Sequence, residues 1–428
     1  MKQQPERLEK IKEPKKAISR FYKALGPGFV TGAADDDPSG VATYSIAGAQ
    51  LGTSLLWMAW FTWPLMSAVQ MMCARIGMVT GKGLASALST KLPRSVIRIF
   101  CLLLFLANTI NIAADLAGMA DAMQLLTKIN SHVWVVALGL IIGTAIIKFK
   151  YGQIANLLKW LALSLFAYVI SAFIIHPDWS FIAHQTFSFS IKNDSTTWET
   201  IVAILGTTIS PYLFFWQAAQ EVEEEKALGR DAEERKGATK VEIQDKIMDV
   251  AAGTLLSNVV MFFIILTTAL TLHTHGIQNI TTSKEVSEAL KPLAGNLATL
   301  LYTVGIVAVG LLAIPTLAGS AAYAFAETLH WSHGLDEKWG KAKAFYAVII
   351  ISILLGIVLD FVNINPIKML YWSAVFNGLL APFLLLGIFL VANDNNIMHG
   401  QASSKINRIV VGVTIVLMFA ASVGMFII

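Results

Sequence analysis

Charge is scarce in this chain. Asp, Glu, Lys and Arg make up 14% of its 428 residues, while apolar residues make up 55% and the mean hydropathy is +0.63. Soluble domains carry about 25% charged residues, so a polytopic membrane protein is implied. Cysteine is scarcer still. Only Cys73 and Cys101 occur, both inside apolar runs, and no disulfide framework is expected. There is no His-Glu-x-x-His pair for zinc, no Gly-x-Ser-x-Gly elbow and no Gly-x-x-x-x-Gly-Lys-Ser/Thr loop. These absences argue against an intramembrane hydrolase and against a nucleotide-driven pump. The first 25 residues lack the apolar core and cleavage site of a secretory signal and read as a charged cytoplasmic tail.

What is present is a series of eleven apolar stretches, each near the length of about 20 residues that crosses a bilayer. They cover roughly 26–50, 54–78, 96–122, 133–149, 155–175, 199–220, 248–272, 295–327, 344–360, 366–392 and 407–427. With the N-terminus in the cytoplasm, 26 of the 32 Lys and Arg residues fall on the cytoplasmic side. The other six are Arg75 and Lys368 at span ends, and Lys128, Lys192, Lys284 and Lys291 outside. That asymmetry sets the expected orientation. Ten spans divide into two fives of opposite orientation, roughly 26–175 and 199–392, with 393–428 as a linker and an eleventh helix. Residues 26–392 thus read as one transport-type unit. The charged loop 221–246 reads as a solvated cytoplasmic helix or linker, and His273 and His275 form a weak His-x-His signal in an outer loop.

Two spans are interrupted. The first, GPGFVTGAADDDPSGVATYSIAGAQ, carries Asp35, Asp36 and Asp37 in mid-span, then Pro38, Ser39 and Gly40. Carboxylates at that depth are costly and mark ion or substrate paths. Pro38 has no N–H to donate and Gly40 weakens the helix, so unwinding is expected. Unwound backbone is tolerated there only around a polar cavity. Carboxylate plus free carbonyls is a hard oxygen site suited to a cation. The sixth span, TIVAILGTTISPYLFFWQAAQ, has Ser210, Pro211 and Tyr212 at its centre. Pro211 alone reads equally as a simple kink. Paired breaks in corresponding positions of two halves point to a transporter binding site.

These residues resemble the Nramp family of divalent-metal transporters, and within it a magnesium-transporting branch. The family's first-span Asp-Pro-Gly-Asn and sixth-span Met-Pro-His match Asp37, Pro38, Ser39, Gly40 and Ser210, Pro211, Tyr212. GPGF at Gly26, AGAQLGTSLLW at Ala47 and the third-span run Asn111 to Leu116 agree as well. The resemblance implies an all-α leucine-transporter-like fold: a 5+5 inverted repeat plus an eleventh helix, with helices one and six broken. It also implies alternating access around a central metal site, with the divalent cation and the lipid bilayer as the only partners. No resident cofactor, nucleic acid or obligate protein partner is expected.

The departures from the family set the direction. By the resemblance, Asp37 keeps the aspartate ligand, and Ala34 and Thr207 supply carbonyls. Gly40 replaces the asparagine, and Ser210 replaces the methionine. The tenth-span polar ligand falls on Ala374, with Asn377 one turn along. Loss of the thioether leaves oxygen ligands, which suit Mg2+ or Mn2+; a roomy site suits partly hydrated Mg2+. Tyr212 replaces a histidine, and its ordinary pKa of about 10 makes it a poor proton carrier. An acid expected near the third-span Asp115 falls on Gly118. Uncoupled or weakly coupled uptake of Mg2+, with Mn2+ accepted, is therefore expected. Proton-coupled manganese transport and amino-acid transport on the same fold are the rival readings. Asp35, Asp36, Asp115, Tyr212 and Asn377 are candidates for the cavity or a proton path. Helical geometry turns Asp35 and Asp36 away from Asp37, toward the access path or a neighbouring span. Asp115 is either functional or paired with Asn108 or Asn111.

Overall fold

In a computed structural model of the protein, residues 26–149, 163–362 and 364–428 are described. The expected tail at 1–25, the first part of span five, Lys150 and Lys159 lie outside them.

The first span is two helices, α1 (Pro27–Asp35) and α2 (Pro38–Leu51). The second is α3 (Trp57–Thr80), followed by a short helix, α4 (Leu84–Leu88). Spans three and four are α5 (Arg94–Thr127) and α6 (Ser131–Lys148). The described part of span five ends in α7 (Phe166–Ile175), with α8 (Trp179–Phe187) after it. The sixth span is again two helices, α9 (Ser195–Thr208) and α10 (Pro211–Ala227). Span seven is α11 (Lys240–Thr271), opened by a capping box between Thr239 and Glu242. Short helices α12 (Ser283–Glu288) and α13 (Lys291–Ala294) precede span eight, α14 (Ala298–Leu329). Spans nine, ten and eleven are α15 (Lys343–Asp360), α16 (Pro366–Ala392) and α17 (Lys405–Ile427). Eight helical stretches among the described residues are long and apolar enough to cross a membrane.

Both breaks fall where proline and its neighbours place them. Each second half begins with proline at its first helical position, Pro38 and Pro211, where the missing N–H leaves no bond unmade. The residues between the halves, Asp36–Asp37 and Ile209–Ser210, are non-helical.

The broken spans lie at the centre. Halves α1 and α2 both pack on α11, α9 packs on α16, α10 packs on α3, and α5 crosses α14. Two of these crossings bring backbone against backbone. A Cβ at Gly32 would lie 2.3 Å from the Gly253 carbonyl carbon, and one at Gly206 would lie 2.0 Å from the Ala374 oxygen. Only glycine permits such approach. The His-x-His signal has a structural use. His273 Nδ1 is 2.7 Å from the Ala49 carbonyl and His275 Nδ1 is 2.6 Å from the Thr271 carbonyl, so the two rings brace helix ends.

Candidate metal site at the paired breaks

Asp37 caps α2. Its Oδ1 accepts hydrogen bonds from the Gly40 amide (2.7 Å) and the Ser39 hydroxyl (2.7 Å), and its Oδ2 accepts one from the Asn111 side-chain amide (3.0 Å). A carboxylate at an N-cap is favoured both by the bond it accepts and by the helix dipole. The Asp-Pro-Ser-Gly order thus places an acid at the mouth of a half-helix in the interior, where Asp37 is only 2% exposed.

Asp35 and Asp36 are also buried, and both lean on span seven. The Ser257 hydroxyl lies 2.8 Å from Asp35 Oδ2 and 3.0 Å from Asp36 Oδ1. One hydroxyl proton therefore serves two carboxylates. Of the two orientations expected for these acids, bonding to a neighbouring span is the one found. Asp115 on α5 is buried beside Asp37, near the Ser39 backbone and with no side-chain partner among the described residues. Of the two readings of Asp115, pairing with Asn108 or Asn111 is not found. Asn108 instead donates to the Leu317 carbonyl and the Ser320 hydroxyl, both at 2.8 Å, and Asn111 donates to Asp37. Among the described residues, no Lys, Arg or His forms an ion pair with any of these four acids. Buried carboxylates without a counter-charge are strongly unfavourable, a cost that a bound cation would relieve.

The second break carries no charge and pairs with itself. The Ser210 hydroxyl lies 2.6 Å from the carbonyls of both Gly206 and Thr207. Thr207 Oγ1 lies 2.9 Å from the Ile204 carbonyl and 3.1 Å from the Tyr44 hydroxyl. Tyr212 reaches across and donates to the Ala34 carbonyl at 3.2 Å. The expected oxygens at Ala34, Thr207 and Ser210 are therefore bonded to protein groups and do not stand open as a ready cage. No group of three or more His, Cys, Asp or Glu among the described residues has metal-binding geometry. The physical reason is general: buried polar atoms find partners. At Gly40 an added Cβ would stand 3.4 Å from the Asp35 carbonyl and 3.5 Å from Asp37 Oδ1 and from the Tyr44 ring. The position is snugly but not impossibly filled, so the roominess expected there is modest. Asn377 is buried on α16, and its Oδ1 has no hydrogen-bond partner among the described residues.

One cluster went unread in the sequence. Asp249 on α11 accepts from the amides of Gly26 (2.7 Å), Gly28 (2.8 Å) and Phe29 (2.9 Å), and so caps the start of α1. Lys246 then bridges Asp249 (3.2 Å), Glu221 (3.0 Å) and Glu224 (3.1 Å). Gln217 donates to Glu221 at 2.6 Å. Lys246 and Asp249, spaced i and i+3 at the edge of an apolar span, were the available signal.

A model of the family described as natural resistance-associated macrophage protein-like matches residues 28–428. The chain belongs to the Nramp family. Among curated relatives, the divalent metal cation transporter MntH of Yersinia pestis (strain Pestoides F) is 29% identical over 311 residues, covering 69% of this chain and 71% of that protein. The MntH of Caldanaerobacter subterraneus subsp. tengcongensis is 23% identical over 400 residues, covering 92% and 90%. Among solved structures, the Eremococcus coleocola manganese transporter aligns with a TM-score of 0.77 at 17% identity, covering 97% of this chain and 88% of that one. Mhp1, a nucleobase-cation-symport-1 family transporter in a closed conformation, aligns at 0.55 with 15% identity, covering 94% and 90%. The fold of this Nramp protein is therefore the leucine-transporter-like inverted repeat with an added eleventh helix. It is a multi-pass integral membrane protein and not an enzyme.

Proposed function

We propose that this Nramp protein carries a divalent cation into the cell by alternating access, Mg2+ ahead of Mn2+, with weak or no proton coupling. The observation behind the ion choice is the chemistry at the paired breaks. The two breaks carry Asp37, glycine at 40, serine at 210 and tyrosine at 212, with no sulfur or imidazole among them. Oxygen-only surroundings suit a hard ion. Loading exchanges the internal bonds for bonds to the cation. Tyr212 releases the Ala34 carbonyl, and Asn111, whose Oδ1 has no hydrogen-bond partner among the described residues, turns its carbonyl toward the ion beside Asp37. Asp35, Asp36 and Asp115 supply the field that draws a doubly charged ion inward. A phenol at position 212 and glycine at 118 leave few groups that exchange protons near neutral pH. The membrane potential then contributes about 4.6 kcal/mol per 100 mV to inward movement of a divalent ion, from about 2.3 per charge. In this scheme residues 1–25 and the loop at 221–246 are cytoplasmic, residues 26–392 form the transport unit, and the membrane is a bacterial-type plasma membrane.

Proton-coupled manganese transport is the second reading; its manganese part is favoured by the structural likeness to the Eremococcus coleocola manganese transporter. Amino-acid transport is disfavoured because a substrate carboxylate would meet four acids. Proteoliposome uptake of Mg2+ and Mn2+, measured side by side with an internal pH dye, separates these. Mg2+ influx with flat internal pH is expected; uptake confined to Mn2+, or acidification in step with it, overturns the proposal.

A further inference from the structure

Spans two, seven and eleven enclose a groove of about 460 Å³ that no part of the transport scheme uses. Along α3 its wall is Pro64, Ala68, Met71 and Arg75, spaced three to four apart and so on one helix face. Ile247 of α11 and Val410 of α17 close the other sides. Apart from Ser67 on α3, the wall is apolar except at one end. There the Arg75 guanidinium uses only its Nε, donating 2.8 Å to the Gln401 carbonyl, and no carboxylate pairs with it among the described residues. Ser404 and Asn407 lie at the same end. No acid lines the groove.

Length decides what fits. From Pro64 to Arg75 is eleven residues, about 16 Å at 1.5 Å per residue. One leaflet of the hydrocarbon core is about 15 Å deep. An apolar trough one leaflet deep, ending on a single unpaired cation, matches one phospholipid: an acyl chain along α3 and a phosphate on the two free guanidinium nitrogens. With one positive and no negative group in the lining, a lipid of net negative charge is favoured over a zwitterionic one. We infer that this groove binds an anionic phospholipid, its headgroup on Arg75 and its chain between spans two, seven and eleven. In the orientation given above, that lipid belongs to the cytoplasmic leaflet. This siting does not depend on which ion is carried.

The full-length protein, delipidated in detergent, would be offered equimolar phosphatidylglycerol and phosphatidylcholine, and retained lipid counted by native mass spectrometry. Preferential retention of phosphatidylglycerol is expected. Arg75→Gln should lower that preference about fivefold, the weight of one basic residue against an anionic surface, and Arg75→Lys should keep most of it. Val410→Trp, which fills the groove and leaves the cation, should reduce retention of both lipids. An unchanged preference in Arg75→Gln overturns the inference. So does a second copy of the chain in place of lipid, seen as a dimer mass that Val410→Trp abolishes.

Discussion

The two broken spans share a plan and differ in how they are held. The first half-helix of span six, α9, is capped locally: Asp194 accepts from the Thr197 amide, three residues along its own chain. The first half-helix of span one, α1, is capped from span seven, by Asp249 more than 200 residues away. The breaks differ in the same sense. Around 210 a neutral hydroxyl satisfies its own helix, whereas around 37 Asp35 and Asp36 depend on Ser257, and Asp37 depends on Asn111 as well as on its own neighbours Ser39 and Gly40. One broken span is neutral and capped from its own stretch of chain. The other is charged and held by partners that can let go. On the proposed mechanism, repeats that begin alike divide the labour, the second keeping shape while the first meets the ion and moves.

The comparison can be broken at several points. Asp37→Ala should have the largest effect, with uptake of both Mg2+ and Mn2+ falling to that of empty liposomes. Retained binding in calorimetry would move the site to the other acids. Next, Gly40→Asn with Ser210→Met restores the side chains usual in the family. A Cβ fits at 40 with ordinary contacts. The double variant should shift the Mn2+ to Mg2+ affinity ratio toward Mn2+ on the order of tenfold, the scale on which changes around bound metals act. An unmoved ratio would show that neither break sets ion choice. Asp249→Ala should lower stability by about 1–2 kcal/mol, as loss of a helix cap does. It should also expose α1 to a cytoplasmic-side thiol reagent when a cysteine is placed there. Asp194→Ala should cost stability alone, and equal labelling in the two variants would erase the distinction between the spans. Smallest is Tyr212→Phe, which removes one hydrogen bond worth about 1 kcal/mol. Metal affinity should rise slightly, because the Ala34 carbonyl no longer has to be freed; a large loss of affinity would make the phenol a ligand.

Helix positions were largely legible because apolar length is a strong signal. Span ten was expected at 366–392 and found at Pro366–Ala392, and span nine differed by a single residue. Both breaks were readable from Pro38 and Pro211, whose chemistry is local. The site was legible only in part. Asp37 could be placed because it precedes Pro38, but nothing local says that Asn111 holds its Oδ2 or that one Ser257 serves two acids. Those contacts join residues 74 or more positions apart, and they are set by how spans three and seven pack. Ser210 shows the opposite error. It stands where a ligand would, yet its short side chain reaches its own carbonyls first. The charged loop at 221–246 read as solvated, but its ends, Glu221 and Lys246, are buried in the network that holds α1.

The close passage of Gly32 against Gly253 bears on anyone who wishes to toughen this protein. Exchanging glycine for alanine in mid-helix ordinarily strengthens the helix by about 1 kcal/mol. At this crossing the added methyl group would sit 2.3 Å from the facing main chain and force the two helices apart. A thermostabilising alanine scan should therefore pass over both positions.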